Sequence, residues 1–103
     1  MTEQMDLELG EALKKRGMEL AAIKRHDALK RARVIAERLA LIQTTVSADD
    51  VIEALEAEGT PASDLGNAAG SIFKGRKWDF WGWQKSRRRS NHARIIMKWR
   101  LLP

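Results

Sequence analysis

Residues 78–101 read WDFWGWQKSRRRSNHARIIMKWRL. The run opens with apolar residues at a period of two. In WDFWGW, Trp78 and Phe80 fall on one face and Asp79, Trp81 and Trp83 on the other. It closes with Ile95, Met97, Trp99 and Leu101 alternating with Arg94, Ile96, Lys98 and Arg100. Such alternation predicts two half-buried strands. KSRRRSN between them is a polar, basic connection, so the pair reads as an antiparallel hairpin with a basic tip. Trp78 and Trp99 are expected in the core.

Upstream, the period is helical. Ser63 to Phe73 puts Leu65, Ala68, Ala69, Ile72 and Phe73 on one face, with Asn67, Ser71 and Lys74 on the other. Gly66 and Gly70 share a flank of this expected helix, which suits close packing of another helix or close approach to a ligand. SADDVIEALEAEG before it has helix start and stop signals. Ser47 is an N-cap residue with Asp50 three places on, Asp49 and Asp50 favour the positive end of the helix dipole, and Gly59 and Pro61 end the element. Gln43 to Val46 is β-branched enough for one brief strand. Before that, Met18 to Ile42 carries the apolar stripe Ala28, Leu29, Ala32, Ile35, Ala36, Leu39 and Ile42. A first, acidic helix over Glu3 to Arg16 has Met5, Leu9, Ala12 and Leu13 on one face, with a kink or break expected at Gly17.

The expected fold class is therefore mainly α with a small antiparallel β-hairpin: a winged helix-turn-helix preceded by a long N-terminal helical segment. Residues 1–17 form an acidic arm for packing or dimerisation, and 18–103 form the winged-helix domain. Within it the helix-turn-helix spans about 47–74 and the wing hairpin about 77–102. A homodimer through the N-terminal helices is one expected assembly.

Composition narrows the function. The chain has 103 residues, 44% apolar and 32% charged, which suits one globular domain. It has no cysteine, so disulfide frameworks and cysteine-ligated metal sites are excluded. No apolar run spans a bilayer, and the acidic N-terminus lacks the pattern of a secretory signal, so a cytoplasmic protein is expected. Residues 1–60 hold nine Lys/Arg against twelve Asp/Glu; residues 61–103 hold ten against two. All six Phe and Trp residues lie between Phe73 and Trp99. A dense basic half of this kind is the footprint of a polyanion partner.

The stretch LGNAAGSIF, the Trp-rich strand and KSRRRSNHARIIMKWRL, with SADDVIEALEAEG upstream, resemble small winged-helix proteins encoded by bacteriophages and prophages. The resemblance covers about residues 18–102. It implies a DNA-associated role in phage replication, recombination or regulation.

The candidate contacts follow from both readings. Lys85, Arg87, Arg88, Arg89 and Arg94 crowd the wing, where guanidinium forks suit phosphate and narrow minor grooves. Arg87, Arg88 and Arg89 are expected to carry affinity. In the recognition helix, Asn67, Ser71, Lys74 and Arg76 would reach bases or phosphates. Thr44, Thr45 and Ser47 are caps before they are phosphate donors. Trp81 and Trp83, on the outer face of the first wing strand, would stack on unpaired bases or anchor a protein partner. Catalysis is not expected: His26 and His92 have no partner cluster, and no phosphate loop, nucleophile elbow or metal-ligand spacing occurs. No cofactor or metal is expected. The leading function is non-enzymatic binding of double-stranded DNA. The alternatives are a protein–protein adaptor on the same scaffold and a single-strand binder using the wing tryptophans.

Overall fold

The computed structural model describes residues 2–103, with side chains from Leu7 onward except Ser90. The elements run α1 (Thr2–Ile42), β1 (Val46–Ser47), α2 (Ala48–Ala57), two 3-10 turns (Ala62–Asp64 and Gly66–Ser71), β2 (Trp78–Lys85) and β3 (Ile95–Leu101). A short 3-10 turn, Arg89–Asn91, lies in the β2–β3 connection. The protein is thus mainly helical with a small three-stranded antiparallel sheet, ordered β1-β3-β2.

The break expected at Gly17 is absent. α1 continues through Gly10 and Gly17 as one helix of 41 residues. A helical glycine costs about 1 kcal/mol relative to alanine, and the good helix formers on both sides of Gly17 outweigh that. The expected boundary at residue 17 also moves. Every side chain from Leu7 to Asp27 is exposed, and Ala28 is the first buried one. The helix therefore has a free arm and a docked half. Met5, assigned to the arm's apolar face, lies outside the described side chains. The docked half buries Ala28, Ala32, Ile35 and Ala36, with Leu29 and Leu39 packed beside them. Ile42, expected on that stripe, is exposed because the helix ends there and turns into the sheet.

α2 forms as its termini dictate. Ser47 accepts from the Asp50 N–H, and the Asp50 carboxylate accepts from the Ser47 N–H at 2.9 Å, a complete capping box. At the other end Gly59 takes a left-handed φ of 94°. Thr60 N–H then reaches the Leu55 carbonyl at 2.9 Å and Gly59 N–H reaches Glu56 at 3.0 Å, closing a Schellman motif. Val51 and Leu55 face the core.

The expected α-helix over Ser63–Phe73 is instead two 3-10 turns broken at Gly66, whose φ is 51°. Gly66 has its conformational reason here. Space is not the reason, since an added Cβ would only make ordinary van der Waals contact with the Arg25 guanidinium, its Nε 3.5 Å away. Gly70 has no atom within 4 Å of an added Cβ, so close helix packing on a shared Gly66–Gly70 flank does not occur. The apolar reading survives the change of geometry, since Leu65, Ile72 and Phe73 are buried.

In the sheet, β1 is only Val46–Ser47, pairing with Trp99 and Lys98. β2 pairs with β3 from Trp78↔Leu101 to Lys85↔Ile95, with one irregularity between Phe80 and Gly82. Trp81 is the extra residue of this bulge, and Gly82 has a φ of 149°. The core lies between the docked half of α1, α2, the 3-10 turns and one sheet face, where Phe73 meets Trp78 edge-on and stacks on Trp99.

Candidate nucleic-acid interface

The β2–β3 connection is held down along its length. Ser86 N–H donates to the Arg94 carbonyl at 2.8 Å. His92 and Ala93 take left-handed φ values of 49° and 60°, which let the chain turn back. Ser86 is buried, and so is the Asp49 side chain from the first turn of α2. The Asp49 carboxylate accepts from Ser86 Oγ at 2.9 Å and from the Arg87 N–H at 2.7 Å. Ser86 Oγ in turn accepts from Asn91 Nδ2 at 3.0 Å and from the Arg88 N–H at 3.2 Å. A buried carboxylate is tolerated only with such partners.

Two arginines of the connection are also tied to α2. Arg87 donates to Asp50 at 2.8 Å and to Glu53 at 3.2 Å, and Arg88 pairs with Glu56. Burial alone would push the Asp50 carboxyl up. The Arg87 guanidinium and the Ser47 backbone N–H outweigh it and hold Asp50 below its ordinary value. The three arginines expected to carry affinity are thus placed differently from one another. Arg87 and Arg88 tie the connection to α2, while Arg89 and Arg94 stay exposed together with Lys85. Sequence reasoning took Asp49 for a dipole residue and missed its role. The acidic ladder Asp50, Glu53 and Glu56 on one face of α2 was the visible signal for the arginine pairing; nothing local marked Ser86 as Asp49's partner.

The expected recognition segment is reshaped. Asn67, Lys74 and Arg76 are exposed, and Ser71 is half-buried with its carbonyl accepting from Arg33 at 3.1 Å. On a broken 3-10 path these residues do not form one α-helical reading face.

The tryptophan assignment also changes. Because Trp81 is bulged, the strand shifts phase, and Trp83 pairs with Met97 on the face that carries Phe80 and Trp99. Phe80 and Trp83 meet edge-on, with ring centres 5.2 Å apart. Trp81 lies on the opposite face with Arg100 4.2 Å above its ring. Trp81 and Trp83 therefore do not share a surface. Trp83, Ile95 and Met97, all exposed, border a groove of about 430 Å³ that is closed on its other side by Phe73, Lys74 and Gly70.

The charge pattern follows. Lys77 pairs with Glu37, Arg100 with Asp79, and Arg87 and Arg88 with α2. Lys74, Arg76, Lys85, Arg89, Arg94 and Lys98 form no ion pair among the described residues. Among the described residues no group of three His, Asp or Glu is placed to hold a metal ion, and no helix is long and apolar enough to cross a membrane. Comparison with protein-family models, curated proteins and solved structures finds no match.

Proposed function

We propose that the chain is a non-enzymatic, DNA-binding winged-helix protein of the cytoplasm, acting on double-stranded DNA in phage or prophage replication, recombination or regulation. One observation carries the reading. After the acids of α2 and α1 have taken their partners, residues 74–98 still present six cations with no ion pair among the described residues. Asp79 is the only carboxylate in that stretch, and it is held by Arg100. Such a surface is matched by a regular array of phosphates. The order helix, strand, helix, helical turns, strand, strand, with strand order β1-β3-β2, supports the winged-helix assignment.

In this reading Lys85 at the end of β2 and Arg89 and Arg94 of the connection grip the backbone, and Lys74 and Arg76 grip it from the turn region. Asn67 and Ser71 are left as the groups able to touch base edges. Their small number predicts modest sequence preference, since discrimination rests on bidentate base contacts. Asp49 and the Arg87 and Arg88 pairs hold the gripping loop in shape.

The exposed Phe80–Trp83 pair favours a second reading, stacking on unpaired bases. Anisotropy of labelled duplex and single-stranded DNA at about 50 and about 200 mM salt separates the two. Duplex affinity should fall at least about a hundredfold across that range, as several phosphate contacts require. Tighter binding to single strands would promote the stacking reading. Binding to neither at low salt would overturn both and point to a protein partner.

A further inference from the structure

The free arm of α1 has an apolar stripe with no partner among the described residues. Leu9, Leu13, Leu20 and Ile23 recur at spacings of four, seven and three, which places them on one side of a helix. They are 59%, 61%, 51% and 58% exposed. At 3.6 residues per turn this side lies about a third of a turn away from Ala28, Ala32 and Ile35, so it does not run onto the protein's own core. Charge divides the arm into blocks. Glu3, Asp6, Glu8 and Glu11 precede any basic residue; Lys14, Lys15, Arg16, Lys24 and Arg25 follow, against Glu19 alone up to residue 25.

We propose that the arm pairs with the arm of a second copy of this chain, in antiparallel orientation. A parallel pair would set the two acidic blocks side by side. An antiparallel pair in full overlap brings the start of each acidic block level with Lys24 and Arg25 of the other arm, while the Lys14–Arg16 clusters of the two copies come level with each other at its centre. Arm length fixes the register. Full overlap of residues 2–27 puts residue 2 beside residue 27 of the second copy. Leu9 then faces Leu20, and Leu13 faces Arg16, whose stem extends the apolar seam. On one flank Glu3 stands beside Lys24. On the same flank Gly10 stands beside Gly17, which lets the two backbones approach. Among the described residues nothing occupies the space over these glycines. Lys14 and Lys15 point away from the seam.

Sedimentation of the full chain tests this, with 11.7 kDa expected for one copy and twice that for the pair. The chain should be a dimer at micromolar concentration. Leu13→Glu with Leu20→Glu should weaken the dimer at least about a hundredfold while thermal unfolding still shows a folded domain, since neither side chain touches it. Orientation is read by disulfides, which the cysteine-free chain reports cleanly. Leu9→Cys mixed with Leu20→Cys should cross-link, and Leu9→Cys alone should not. Glu3→Lys and Lys24→Glu should each weaken the dimer, and together restore it. A monomer at high micromolar concentration, or Leu9→Cys cross-linking to itself, would overturn the proposal.

Discussion

Asp49 is the residue on which the shape of the basic loop depends. Its buried carboxylate holds Ser86 Oγ and the Arg87 N–H, and Ser86 Oγ then organises Asn91 and Arg88. Asp49→Ala leaves these donors without a partner, at a cost of about 2–3 kcal/mol in urea unfolding. A loss below about 0.5 kcal/mol would mean that the loop is held by Arg87 and Arg88 alone. Asp50 gives a pH signature. Its folded-state value lies below its ordinary value of 3.8, so the unfolded chain takes up the proton first as pH falls. The stability it contributes is complete above about pH 4 and is lost as the pH drops through the folded value. Asp50→Asn should flatten the acid limb of the stability profile in that window. Single residues were the least legible scale. Buried apolar positions such as Leu55, Leu65 and Trp78 could be read from period alone. The pairing of Asp49 with Ser86 joins residues far apart in sequence and leaves no local trace.

Among the elements, α2 was written most clearly, because its signals are local. A serine with an aspartate three places on and a left-handed glycine at the far end specify both termini. Ser47→Ala should cost about 1 kcal/mol, with somewhat more if the Gln84 contact at 3.1 Å is also lost. Denaturant midpoints of Ser47→Ala and wild type check this; equal midpoints would mean that the box contributes nothing. The 66–71 segment was legible in burial but not in backbone. Ala69 and Ile72, three apart, suit a 3-10 turn as well as an α-helix, and the left-handed Gly66 interrupts the helix that Leu65 and Ala69 predict. The hairpin was found, but its phase was not. A bulge at Trp81 moves one residue out of register, and strict alternation then puts Trp83 on the wrong face. The shift joins Trp83 to Phe80 and leaves Trp81 to Arg100, which bears on the proposed stacking of unpaired bases. Trp83→Ala should lower single-strand affinity by roughly 1–3 kcal/mol if bases stack there. Trp81→Ala should leave that affinity unchanged.

The whole molecule is longer than its residue count suggests. Its radius of gyration is 17.8 Å, against about 13 Å for a compact chain of this length, and it measures 63 Å along its long axis. The arm of α1 accounts for the difference. The sequence announced an acidic, aromatic-free half and a basic, aromatic half. It did not announce how the two halves neutralise each other. α2 takes Arg87 and Arg88, α1 takes Lys77, and the basic surface that remains is smaller and shifted toward Lys74, Lys85, Arg89 and Arg94. That residual surface is the basis for the proposed binding of duplex DNA. The salt dependence of duplex affinity, compared between wild type and a variant with Lys85→Ala, Arg89→Ala and Arg94→Ala, tests it most directly. None of the three side chains forms an ion pair among the described residues, so the fold should be unaffected. The account predicts weaker binding and a log–log salt slope shallower by about three phosphate equivalents, each contributing roughly 0.9. A variant that binds duplex as tightly as wild type, with the same slope, would contradict it.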